Sequence, residues 1–294
     1  MNILITGGTG FIGDALYNQL KDKHNVKRID VQRRGHEDVI IMDLSIKTDT
    51  RTQKLRDILS NVDIVYHLAS SIGVDKIAKQ PALTLQNSLK INQNLLPLIG
   101  ETKAKIIFAS TSEVYGSTAG GFFSECDYLS IPAPSRGTRG GYAAQKILGE
   151  YLVQSMSNSH TIVRFFNVIG KKQDKTLGMV YPTFLNAALN NRDLTIFGDG
   201  NDFRTYCSIK DAVNTLELLI DEMPNDILNI GAWNPATTLS LAQTIINLTN
   251  SRSKIVFAPA RPEEIKTRRP NLNKMNTIYT AKYSLEDIIK DDIE

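Results

Sequence analysis

The chain of 294 residues carries 34 Lys and Arg against 31 Asp and Glu, a formal net charge of +3, with 41% hydrophobic and 22% charged residues. That balance suits one large α/β domain, or a domain with a smaller lobe, and it provides no polyelectrolyte surface for nucleic acid. No apolar run is long enough to span a bilayer, no secretory leader is visible before MNILITGG, and Cys126 and Cys207 have neither metal nor redox spacing, so a cytoplasmic protein without a metal site is expected.

Residues 2–6 (NILIT) predict a buried parallel strand, short, apolar and followed at once by glycines. Gly7, Gly10 and Gly13 of TGGTGFIG then separate that strand from a helix over 11–22. As a dinucleotide loop, Gly7 permits the tight turn, Gly10 admits a pyrophosphate to the backbone, and Gly13 lets helix and strand pack closely. The helix N-terminus, with Phe11 and Ile12, offers free N–H groups to phosphate. The competing account of the glycines is an ordinary turn. A second strand over 26–30 ends in Asp30, whose carboxylate can accept from both adenosine ribose hydroxyls and would repel a 2′-phosphate, which favours NAD. Arg33 and Arg34 could pair with such a phosphate and keep NADP open, and a solvated strand-end Asp30 is the plain alternative.

Further strands are predicted at 39–41, 63–67, 105–109 and 160–165, with helices over 81–99, Pro81 in its first turn, and over 142–157. Asp43 and Leu44 close the third strand region, where a carboxylate could reach the adenine amino group. The alternation predicts an α/β fold, a Rossmann-type doubly wound parallel sheet that binds ligands beyond the carboxyl ends of its strands. After about residue 166 glycine-bearing loops interrupt shorter elements, with helices over 210–222 and 238–250 and a strand over 227–230. The expected division is a dinucleotide-binding domain over 1–166, to which segments from about 205–231 return, and a smaller C-terminal α+β substrate lobe over 167–294.

Tyr142 and Lys146 stand one helical turn apart, on one face. A phenol is a poor base at neutral pH, and a neighbouring ammonium, helped by an oxidised nicotinamide, would lower its pKa. Thr111 and Ser112, in ASTSEVYG after the strand KIIFA, can donate to a substrate oxygen and hold its proton on course toward Tyr142. A surface Tyr–Lys pair and a Ser/Thr turn are the plain alternatives. Together with the glycine loop the combination is far more specific than any part.

At this point the chain resembles the extended short-chain dehydrogenase/reductase family, in its nucleotide-sugar epimerase/dehydratase branch, over nearly the full length. The resemblance rests on TGGTGFIG (6–13), HLAS (67–70), ASTSEVYG (109–116), YAAQK (142–146), RFFNVIG (164–170) and GDGNDFRTY (198–206). It implies that Thr111, Tyr142 and Lys146 form the catalytic triad, that Lys146 also binds the nicotinamide ribose, and that Leu68 and Ala69 of HLAS line the cofactor. It further implies that Asn167 lies near the substrate diphosphate, that Arg204 lies near the diphosphate or sugar, and that Arg268 of RRP contacts the diphosphate. Ordinary surface charge is the alternative for both arginines. A homodimer through two helices per subunit is also implied. The sequence departs from the branch pattern at Ser88, at Ile91-Asn92 in place of Gly-Thr, and at Ile169-Gly170-Lys171 in place of Tyr-Gly-Pro. These departures fall on helix packing and the substrate lobe.

The branch is expected to begin with Tyr142 taking the proton of the sugar C4 hydroxyl while NAD oxidises C4. The 4-keto sugar then has three fates: return to the other face (4-epimerisation), loss of a C5 carboxylate as carbon dioxide, or loss of the C6 hydroxyl. Glu113 can serve as acid or base at C5 and has no task in simple 4-epimerisation. Thr111-Ser112-Glu113 looks like UDP-glucuronate decarboxylases and GDP-mannose 4,6-dehydratases, although Thr-Ser-Glu also occurs in epimerase-like members and Glu113 could merely cap a turn. His67 reads as packing rather than as a base, and Lys76 as a loop lysine that could meet a uronate carboxylate. A UDP-sugar substrate is favoured. A UDP-hexose or UDP-hexuronate 4-epimerase is the alternative, and an NADP-dependent reductase or a non-catalytic NAD(P)-binding regulator the readings from other classes.

Overall fold

Short apolar strands cannot bury both faces unless helices cover each, and the chain alternates accordingly. The computed structural model describes residues 1–116, 122–222, 224–260 and 267–294. In chain order it contains β1 (Asn2–Thr6), α1 (Phe11–Leu20), β2 (Asn25–Asp30), β3 (Val39–Ile41), α2 (Asp49–Leu59), β4 (Ile64–His67), α3 (Val74–Lys79), α4 (Pro81–Gly100), β5 (Lys105–Thr111), β6 (Phe122–Phe123), α5 (Arg139–Gln154) and β7 (His160–Phe165). There follow β8 (Val168–Ile169), α6 (Val180–Leu189), β9 (Leu194–Phe197), β10 (Phe203–Thr205), β11 (Cys207–Ser208), α7 (Ile209–Leu218), β12 (Ile227–Ile230), β13 (Pro235–Thr237), α8 (Thr238–Leu248), β14 (Ile255–Ala258), β15 (Thr267–Pro270), α9 (Asn273–Ile278) and α10 (Leu285–Ile293).

The main sheet has seven strands in the order β12-β7-β5-β4-β1-β2-β3, all parallel. Period-two alternation divides β1 between two cores. Leu4 packs with Leu55, Leu95, Ile99 and Val153 under α2, α4 and α5. Ile3 and Ile5 pack with Leu16, Leu20, Leu216 and Met275 under α1, α7 and α9. The doubly wound parallel sheet read from the alternation is therefore present. β12 and α7 belong to it although they come late in the chain. A separate core of Phe184, Leu185, Ile196, Leu241, Ile245 and Ile289 holds α6, β9, α8 and α10 together. A small sheet, β13-β10-β15-β6, links that lobe to the loop after β5.

The differences from the sequence reading are local. Lys76, read from the sequence as a loop lysine, lies in helix α3. Helix α5 begins at Arg139, so Tyr142 sits in its first turn rather than at its start. Among the described residues, no helix is long and apolar enough to cross a membrane.

Leu4 is fully buried between sheet and helices. Leu4→Ala should destabilise the chain by about 2–5 kcal/mol through lost burial and a residual cavity. Urea unfolding would show this as a lower midpoint with an unchanged slope.

Candidate active site

The carboxyl ends of the central strands and the N-terminus of α1 open on one cavity of about 1230 Å³. At its cofactor end the glycine loop is built too tightly for side chains. A Cβ on Gly13 would lie 2.1 Å from the Gly7 carbonyl oxygen, and one on Gly7, at φ +71°, would lie 2.9 Å from the Ala69 nitrogen. Gly10 is the N-cap of α1 and offers no side-chain cap, so the first-turn N–H groups stay open to a ligand. Gly10, Phe11, Ile12, Leu44, Leu68 and Ala69 line the same wall.

Asp30 also lines the cavity. Its two oxygens accept from Thr9 N at 3.0 Å and Val31 N at 2.7 Å, which fixes the carboxylate at the strand end. Arg33 donates to the Glu37 carbonyl oxygen at 3.4 Å, and Arg34 lies 3.8 Å from Asp174. Both guanidinium groups thus have protein partners, while a carboxylate occupies the ribose position. The donor set and the side-chain-free cradle fit NAD. Asp43 stands at the turn after β3. Met42 and Leu44 face the cavity and Asp43 does not, and the Asp43 carboxylate instead accepts from Ser45 N at 2.9 Å and Ser45 Oγ at 2.7 Å.

Sequence reasoning passed over Arg28. It is buried beneath Gly8 and donates to Asp14 at 3.0 Å and to Asp38 at 2.6 Å, bracing the loop from below. The available signal was weak, an arginine beside Ile29 in the charged strand NVKRID. His67 is likewise structural, as read. Its Nε2 lies 3.0 Å from Asn92 Oδ1 and its Nδ1 2.8 Å from Thr6 Oγ1, which in turn accepts from Ala69 N at 3.3 Å. The ring is neutral in this chain of contacts, with Nε2–H donating and Nδ1 accepting. Burial depresses its pKa to about 4, and the Lys146 charge adds to the effect while Asn92 opposes it. Asn92, one of the departures from the branch pattern, therefore has a definite partner.

At the reacting end, Thr111, Ser112, Glu113, Tyr142 and Lys146 all line the cavity. The Tyr142 phenol is in hydrogen-bonding range of the Thr111 side chain. Burial and the Glu113 charge push its pKa above the ordinary value, and Thr111 opposes them. Lys146 is buried and donates to the Ala109 carbonyl at 2.6 Å. Burial lowers its pKa to about 8, opposed by Glu150. In the protein alone the amine is turned to the Ala109 carbonyl.

Arg268 is buried rather than a surface charge. Its Nη1 pairs with Glu113 Oε1 at 2.9 Å and lies 3.4 Å from Ser112 Oγ. Its Nε and Nη2 have no hydrogen-bond partner among the described residues. β10 and β15 run parallel with Arg204 opposite Arg268, so both arginines project from one face toward the cavity. Like charges so placed repel unless anions lie between or beside them. Asn167, at φ +34°, lines the cavity and donates its amide to the Thr205 carbonyl at 2.9 Å, which shapes the strand-end loop.

Comparison with known proteins gives consistent results. The model of the NAD dependent epimerase/dehydratase family matches residues 3–231. A UDP-N-acetyl-alpha-D-glucosaminuronate decarboxylase of Bacillus cytotoxicus is 34% identical over 99% of this chain and 96% of its own. UDP-glucuronic acid decarboxylase 1 of Danio rerio is 30% identical over 92% of this chain and 66% of its own. Among solved structures, a UDP-glucuronic acid 4-epimerase from Bacillus cereus, in complex with UDP-glucuronic acid and NAD, superimposes with a TM-score of 0.86 at 28% identity, covering 100% of this chain and 98% of that one.

Two outcomes follow from the geometry. Gly13→Ala forces a Cβ onto the Gly7 carbonyl and should abolish NAD binding in calorimetry. His67 has a folded pKa of about 4 against 6.5, so its contribution to stability is lost as pH falls from about 6.5 through 4, by about 3 kcal/mol in full. Urea midpoints of wild type and His67→Gln should diverge over that window, wild type falling more steeply; parallel curves would contradict the assignment.

Proposed function

We propose a reaction on one premise: the chain belongs to the NAD dependent epimerase/dehydratase family. It is an NAD-dependent enzyme that modifies a nucleotide sugar, and we assign it the decarboxylation of a UDP-hexuronate. The observation that carries this choice is the buried Arg268. Its guanidinium is shared with Glu113, its Nε and Nη2 have no hydrogen-bond partner among the described residues, and it lines the same cavity as Tyr142. A planar cation with open donors suits a carboxylate.

Gly7, Gly10, Gly13, Asp30 and Lys146 would hold the cofactor, which supplies a reversible acceptor for the hydrogen at sugar C4. Tyr142 receives the C4 hydroxyl proton, and Thr111 orients that hydroxyl. Once C4 is a ketone, the C5 carboxylate is β to it. Breaking the C5–C6 bond releases carbon dioxide and places the electron pair on the C4 oxygen, where Tyr142 and Thr111 can donate hydrogen bonds. Glu113 is the carboxyl group placed to deliver the proton to C5. Arg204 and the Asn167 loop face the remaining anionic part of the substrate, its diphosphate.

A homodimer is the finer reading for assembly. Leu83 on α4 and Leu148, Tyr151 and Leu152 on α5 are exposed, and a second copy of these two helices would cover them. A cytoplasmic setting rests on the sequence reading, in which Cys126 and Cys207 stay reduced; both are free thiols in the structure.

Incubation with UDP-glucuronate, UDP-N-acetylglucosaminuronate and UDP-glucose in deuterated water, followed by NMR, tests the choice. A pentose product with deuterium at C5 is expected from a uronate, whereas an unlabelled C4-inverted uronate would assign 4-epimerisation instead. Tyr142→Phe should lower kcat by about 10²–10⁴-fold with nucleotide-sugar binding preserved.

A further inference from the structure

The α5 stripe that carries Tyr142 and Lys146 continues to Glu150, two helical turns beyond Tyr142. The three residues meet three consecutive residues of β5. Tyr142 meets Thr111, Lys146 donates to the Ala109 carbonyl at 2.6 Å, and Glu150 accepts from Ser110 Oγ at 2.5 Å. Glu150 is also gripped from the neighbouring strand β7. Arg164 Nε reaches its Oε1 at 3.0 Å and Arg164 Nη2 its Oε2 at 2.6 Å. Arg164 is itself held by the Tyr115 hydroxyl at 3.0 Å and the Glu125 carbonyl at 3.2 Å. Ser110, Glu150 and Arg164 are all buried.

A buried ion pair is a poor source of net stability, because desolvation offsets its attraction. Its geometry is nonetheless specific, and here it joins the helix bearing the reacting groups to the two strands at the floor of the site. We propose that Glu150 is a positioning residue for the reaction centre. With Ser110 and Arg164 it fixes the height of α5 along β5, and its charge keeps the Lys146 amine in the cationic form that the cofactor ribose meets. This rests on the reading of Lys146 as a cofactor-holding residue. The charged and titratable groups acting with Lys146 are Glu150 on its own helix and neutral His67 on β4, with Arg164 of β7 paired to Glu150. Of these only Glu150 acts to keep the amine charged, against burial.

NAD affinity of the full chain, measured by calorimetry from pH 6 to 9.5, tests the proposal without relying on turnover. In wild type the affinity should fall as pH rises past about 8, where Lys146 loses its proton. Glu150→Gln should move that fall to lower pH by about one unit, and Glu150→Asp should return it toward the wild-type position. A Glu150→Gln protein that melts earlier yet keeps the wild-type pH profile would reduce Glu150 to a structural brace and overturn the proposal. Should that variant fail to fold, Arg164→Gln, which frees the Glu150 charge from its partner, should move the fall to higher pH; an unshifted profile there also overturns it. Lys146→Met separates the underlying reading. If it retains the alkaline fall, Lys146 is not the group that titrates, whatever Glu150 does.

Discussion

The site depends on how one helix is seated on the end of one strand. β5 emerges from the sheet with Ala109, Ser110 and Thr111 in sequence, and α5 lies across it with Lys146, Glu150 and Tyr142 against them. The strand end is fixed by parallel pairing on both sides, to β4 and to β7. The helix cannot move by a turn without breaking every one of these contacts, so the placement of the phenol within the cavity follows from sheet register and helical period.

That seating has an electrostatic cost which explains why the site needs its ligands. Burial opposes charge on Tyr142 and on Lys146 alike, and Glu113 adds its own opposition to a phenolate. A cationic nicotinamide beside the phenol would supply the missing positive charge, which ties proton removal to an occupied, oxidised cofactor site. At the opposite wall, Arg204 and Arg268 stand side by side on neighbouring strands, and Arg268 pairs with Glu113.

Much of this was legible in the chain. The glycine loop, Asp30 at its strand end, the Thr111-Ser112-Glu113 turn and the Tyr142/Lys146 spacing depend on local period and on strand–turn–helix order, which a sequence displays directly. What escaped depends on pairings across long separations. Arg28 reads as a strand cation until Asp14 and Asp38 are brought to it. Arg268 has a diphosphate role by resemblance, but its pairing with Glu113 is visible only once β15 lies beside β10.

The claim beneath all of this is that the C4 carbon is oxidised and reduced within one closed cycle over Tyr142. UDP-glucuronate carrying deuterium at C4, converted in ordinary water with catalytic enzyme and no added reductant, tests it most directly. The account predicts that the deuterium is found at C4 of the product, with no net change in nicotinamide absorbance. Protium at C4, or consumption of nicotinamide in proportion to product, would contradict it.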